Sequence, residues 1–137
     1  MRPMPIRVGL DLVDVSTVEA SLHAAHGERY LERLFTEREV ADCRTPAGLD
    51  PERLAARFAA KEATLKVLPA ADEGVSWQEI EVRREPSGRV HLELRGRAAE
   101  LAAEARITDF ALSLTHEGGF AAAVVVAEVR EHAGRES

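Results

Sequence analysis

A single cysteine, Cys43, stands in 137 residues, which excludes a disulfide framework within the chain and a cysteine-rich metal site. Such usage fits a reducing cytoplasm. No run of about 18 apolar residues occurs, so no membrane-spanning helix is expected. Arg2 and Arg7 precede no apolar signal core, so no export signal is expected either. Basic residues are outnumbered, and the net charge of −6 argues against a nucleic-acid binder with a basic surface. Arg29, Arg33, Arg38 and Arg44 do cluster, but they alternate with Glu28, Glu32, Glu37 and Glu39 and read as a solvated helix surface. No GxGxxG and no P-loop appears. Ser113 lacks a nucleophile-elbow context, and His23, His26, His91 and His132 show no metal-ligand spacing. Internal repeats and low-complexity tracts are absent.

What is present is a globular composition, 45% hydrophobic and 31% charged. The length suits one domain, taken here as residues 1–130, followed by a polar tail over 131–137. Ile6 to Val15 is apolar and β-branched and predicts a strand buried on both faces. Ser16 is a candidate cap for a helix running to Leu34. Thr36 and Glu39 have capping-box spacing for a short helix ending near Cys43, and 45–49 reads as a loop. Asp50-Pro51 opens a helix expected to reach Leu68, where Pro69 stops it. A polar loop over 70–74 follows. Trp77 to Arg84 and Val90 to Leu94 read as strands around the Pro86-Ser87-Gly88 turn. Gly96 to Arg106 is helical in composition. Phe110 to Thr115 and Phe120 to Val129 are two more strands joined at Gly118-Gly119. Two direct hairpins make an antiparallel α+β domain, a sheet packed against helices, likelier than a doubly wound sheet.

One helix carries an anomaly. On a wheel of about 100° per residue, Leu54, Ala55, Phe58, Ala59, Leu65 and Lys66 fall within about 80° of Glu62. A carboxylate and an ammonium therefore interrupt the apolar stripe one turn apart, and charges so placed are paired, metal-bound or exposed in a cleft. Arg53, Arg57, Ala60 and Thr64 fall on the other side. Asp11 likewise interrupts the first strand, a position where aspartate is depleted, and Gly9 beside it suits close approach of a backbone or ligand. Each acid has a plain alternative: an edge-strand carboxylate facing water for Asp11, an i,i+4 pair with Lys66 for Glu62. Taken together, two carboxylates without a nitrogen or sulfur ligand suit Mg²⁺, which draws its remaining ligands from water and phosphate. Lys66 nearby would help neutralise a diphosphate. His116, at a strand end before Glu117-Gly118-Gly119, is either a cleft residue or an ordinary turn histidine.

Three blocks in this order, Gly9-Leu10-Asp11-Leu12-Val13, Arg57 to Lys66 and Leu112-Ser113-Leu114-Thr115-His116, resemble the 4′-phosphopantetheinyl transferases of the small, single-domain holo-acyl-carrier-protein synthase type. The segments 34–39 and 76–82 are similar as well, and the resemblance spans roughly residues 6 to 128. It implies the fold of that family and transfer of phosphopantetheine from coenzyme A to a serine of an acyl or peptidyl carrier protein, with release of adenosine 3′,5′-bisphosphate. It further implies Mg²⁺ held by Asp11 and Glu62, Lys66 serving the phosphate end and His116 in the coenzyme A site. Glu39 matches a family acid near the metal. Arg57 and Lys61 match the same block and reach coenzyme A or solvent; Arg44 and Arg53 are candidates for its 3′-phosphate. The implied assembly is a homotrimer with sites between subunits. Two departures stand out: Ser16-Thr17-Val18-Glu19 where a basic pair is usual, leaving Arg29 and Arg33 to grip the carrier, and Pro69 to Glu73 in place of a glycine turn. A non-catalytic coenzyme A or carrier binder, and a Mg²⁺-dependent diphosphate hydrolase, are the alternative readings.

Overall fold

The structure, a computed structural model, describes residues 5–69 and 74–130; most of the expected 70–74 loop and the 131–137 tail lie outside these residues. The first strand, β1, spans Ile6–Asp14 and leads into helices α1 (Val15–His23), α2 (Gly27–Leu34) and α3 (Glu37–Asp42). A two-residue-per-strand hairpin, β2 (Arg44–Thr45) and β3 (Gly48–Leu49), precedes the long helix α4 (Pro51–Val67). A single 3-10 turn, Trp77–Glu79, opens the hairpin β4 (Ile80–Arg84) and β5 (Val90–Leu94); α5 (Gly96–Glu104), β6 (Ile107–Glu117) and β7 (Phe120–Val129) complete the chain. The main sheet has the order β1-β7-β6, antiparallel throughout, with Asp11 opposite Ala123 and Ala123 opposite Leu114. The expected antiparallel α+β domain is what forms.

α4 is the spine of the fold. Asp50 caps it by accepting from the backbone N–H groups of Glu52 and Arg53, and Pro51 sits where no intrahelical N–H is needed. Its alanines lie on several faces: Ala55, Ala56, Ala59, Ala60 and Ala63 are all buried, so neighbours cover it on all but one flank. The wheel's division into an apolar and a polar side is thereby corrected. Arg57, Ala60, Lys61 and Thr64 are buried too, while Glu62, Phe58 and Leu65 are only half-buried and Lys66 is exposed.

Three other expectations change. β1 is not covered on both faces: it is an edge strand, and Val8, Leu10 and Leu12 are each about 60% exposed, at 59%, 62% and 63%. Only its inner row, Gly9, Asp11 and Val13, turns towards α4. The helix expected over 16–34 is two helices, capped by Asp14 rather than Ser16. A straight helix of that length would run about 28 Å, beyond the core. The chain folds back at 24–26, so that Val18 and Leu34 both reach one apolar cluster. Finally, Trp77–Glu79, expected as part of a strand, is helical, and Glu81 is buried.

Candidate active site

The first group of site residues assembles where β1 crosses the C-terminal half of α4. A Cβ at Gly9 would lie 2.1 Å from the carbonyl oxygen of Ala63, so glycine is what allows strand and helix to touch. That contact carries Asp11, two residues on and on the same face, to the flank of α4 that bears Glu62 and Lys66. Lys66 Nζ donates to the Leu10 carbonyl at 2.6 Å and lies 3.2 Å from Asp11 Oδ1. Burial, and then the charge of Asp11, push the Glu62 carboxyl above its ordinary range, with Lys66 opposing. The two acids are thus electrostatic neighbours. Arg7, on the same row of β1, donates to the carbonyl of Val67 at 3.2 Å and secures the end of the helix.

The second group lies at the other end of α4. His116 Nδ1 is 3.3 Å from Glu52 Oε2, with both side chains about half exposed. Arg53 pairs with Asp50 at 3.5 Å, and Arg57 Nη1 donates to the Arg53 carbonyl at 3.3 Å. Arg57 is 4% exposed, and its Nε has no hydrogen-bond partner among the described residues. Glu52 and Glu62 are ten residues apart, about 15 Å along the helix. Within one chain, then, His116 is joined to Glu52 and Arg57 to Arg53 at the N-terminal half of α4, away from Asp11, Glu62 and Lys66.

Two expected site residues lie in the core. Lys61 is 0% exposed, so it reaches no solvent and no coenzyme A from this chain. Its Nζ sits 2.8 Å from Glu39 Oε1 and donates to the carbonyls of Trp77 and Ile80. Glu39, also 0% exposed, forms the anticipated capping box with Thr36 and accepts from the Val82 N–H at 2.7 Å. The scatter of alanines around α4 was the available signal that Lys61 would be enclosed. Arg44 is exposed on the β2–β3 hairpin, which leads directly into α4 at Asp50. Sequence reasoning also missed Glu81, whose carboxylate receives Arg38, Arg95 and the Thr36 hydroxyl.

The donor set around Asp11 fits a hard divalent cation. Both candidate donors are carboxylates, and a cation between them would offset the Asp11 charge that, after burial, raises Glu62. Among the described residues no cluster of three His, Cys, Asp or Glu side chains occurs, so further ligands would come from phosphate and water.

The family model of the 4′-phosphopantetheinyl transferase superfamily matches residues 7–125. The chain belongs to that superfamily. It is an enzyme chain of the holo-acyl-carrier-protein synthase type. A holo-[acyl-carrier-protein] synthase of Frankia alni is 46% identical over 123 residues, covering 90% of this chain and 97% of that protein. One from Moorella thermoacetica is 41% identical over 125 residues, with 90% and 94% covered. Among solved structures, the Chronobacterium ammoniagenes ACPS–CoA complex superposes with a TM-score of 0.78 at 33% identity, covering 93% of this chain and 100% of that one. The Helicobacter pylori synthase in complex with coenzyme A gives 0.74 at 26% identity, with 89% and 100% covered. These two synthases and the present chain therefore share one small α+β domain.

Proposed function

We propose that this chain transfers 4′-phosphopantetheine from coenzyme A to a serine of an acyl or peptidyl carrier protein, releasing adenosine 3′,5′-bisphosphate. The observation that carries the reading is the meeting of Asp11 and Glu62, from separate elements, beside the ammonium of Lys66. The relatives named above as synthases and the neighbours solved with coenzyme A support the same reaction.

Attack of a serine oxygen on the β-phosphorus builds charge on the diphosphate, so catalysis rests on positioning and neutralisation. Asp11 and Glu62 would hold Mg²⁺. When bound, the ion would draw diphosphate oxygens in and offset their charge. Lys66, half exposed at 52%, has freedom to swing from Asp11 to a phosphate oxygen. A carboxylate acting through water takes the serine proton. Arg53 and His116, both partly exposed at the N-terminal end of α4, form a basic group suited to the 3′-phosphate end of coenzyme A, while Arg57 lies buried against the Arg53 carbonyl.

The two groups are about 15 Å apart along α4. This separation, together with the exposed apolar row Ile6, Val8, Leu10 and Leu12, supports a homotrimer in which the acidic group of one subunit faces the basic group of the next. Arg29 and Arg33, exposed one turn apart on α2, are the proposed grip on the acidic carrier.

Incubation with Mg²⁺, coenzyme A and several apo carrier proteins, followed by mass spectrometry, tests the reading. Phosphopantetheine adducts on a carrier are expected, and Asp11→Ala and Glu62→Ala should each abolish them in a folded protein. Hydrolysed coenzyme A without adducts would instead indicate a diphosphate hydrolase, and binding without turnover a non-catalytic module.

A further inference from the structure

The core beneath the site holds an ion pair that the reaction does not touch. Lys61 and Glu39 are both wholly enclosed, and every hydrogen-bonding group on them is used. The three ammonium protons of Lys61 meet Glu39 Oε1 at 2.8 Å, the Trp77 carbonyl at 3.0 Å and the Ile80 carbonyl. Glu39 in turn accepts from Thr36 N at 3.0 Å and Val82 N at 2.7 Å. The Lys61 ammonium also lies 5.7 Å from the centroid of the buried Phe35 ring. One side chain of α4 is thereby pinned to α3, to the 3-10 turn and to β4 at once.

Lys61 immediately precedes Glu62, which leaves the helix about 100° away, towards β1. Side-chain tips lie about 5–6 Å from a helix axis, so a 20° roll of α4 would move them by about 2 Å. A satisfied buried ammonium does not tolerate such a shift, and a metal ligand needs placement to about 0.5 Å. On the β1 flank the packing is the Gly9–Ala63 contact, and the polar contacts are Arg7 with the Val67 carbonyl and exposed Lys66 with Leu10 and Asp11, none of them a buried charged pair.

We propose that the buried Glu39–Lys61 pair is a positioning device that sets the roll of α4 and so aims Glu62 at Asp11. The inference rests on the reading of Asp11 and Glu62 as metal ligands. It gives Glu39 and Lys61 a role in the reaction without contact with substrate.

The test replaces both charges together, Glu39→Gln with Lys61→Met, because losing one partner alone strands the other charge in the core. Thermal unfolding checks the fold. Mn²⁺ serves as the probe: free Mn²⁺ is followed by electron paramagnetic resonance in the presence of coenzyme A. The double variant should fold, bind Mn²⁺ at least tenfold more weakly, and lose at least tenfold in kcat with KM for the carrier unchanged. A folded double variant with Mn²⁺ affinity and kcat within twofold of the parent overturns the proposal. If the double variant does not fold, Glu39→Asp decides, since it keeps the charge and only shortens the reach; the same tenfold losses are expected. Failure of both to fold assigns the pair to stability alone, which also overturns it. Glu62→Ala is run alongside. If it leaves Mn²⁺ binding intact, the metal-site reading itself fails; if it abolishes binding while the pair variants do not weaken it, only the positioning role fails.

Discussion

At Glu62, burial and then the charge of Asp11 disfavour the ionised carboxylate, so the folded state holds its proton more tightly than the unfolded chain does. A carboxyl raised above its unfolded value costs stability at neutral pH, and the cost fades as pH falls through the folded pKa. Glu62→Gln should therefore raise the melting temperature of the metal-free protein by roughly 2 °C, while removing any rise caused by Mg²⁺ with coenzyme A; scanning fluorimetry reads both. Glu81 has the opposite sign. Burial pushes it up, but hydrogen bonds from Arg38, Thr36 and Arg95 prevail and hold it down at about 2. Its contribution is present above its ordinary value of 4.5 and is lost as pH falls towards 2. Glu81→Gln should lower stability at pH 7 and flatten the acid limb of the melting-temperature profile between pH 5 and 3. At Gly9 the determinant is space: Gly9→Ala sets a methyl against the Ala63 carbonyl and should cost about 2–4 kcal/mol in denaturant unfolding.

At the scale of elements, α4 shows how far a helical wheel reads. The start at Asp50-Pro51 and the stop before Pro69 follow from local chemistry and appear as expected. The wheel also placed Glu62 and Lys66 together, on what proves to be the more open flank. It failed for Lys61, because periodicity reports one covered stripe and not a helix covered on several sides, where Ala60 and Thr64 are as buried as Ala59. β1 failed in the reverse sense. Its apolar outer row looked like core, but among the described residues of one chain nothing covers it. α2 carries a prediction of its own. Arg29→Glu with Arg33→Glu reverses two exposed charges and should raise KM for an acidic carrier at least tenfold, leaving kcat and thermal stability nearly unchanged.

For the whole molecule, the distance between the acidic and basic groups is the informative quantity. If the two halves of a site come from neighbouring subunits, Asp11→Ala and His116→Ala proteins are each inactive alone. Equal mixing with subunit exchange should then restore about one quarter of parental activity, since half the acidic and half the basic groups remain intact at random. No recovery after verified exchange would place a complete site within one chain. Leu10→Asp with Leu12→Asp, on the uncovered row of β1, should yield monomers by sedimentation and abolish transfer.

Local signals in the chain were enough for the ends of α3 and α4, the Gly118-Gly119 hairpin and the two acids that break apolar patterns, because caps, turns and alternation act over a few residues. The meeting of Asp11 with Glu62, the closure of the core over Glu39 and Lys61, and the distance of His116 from the acids depended on how β1 and β4 pack around α4. Those contacts join residues tens of positions apart, where burial is decided by which element arrives from elsewhere and not by the neighbours in the chain.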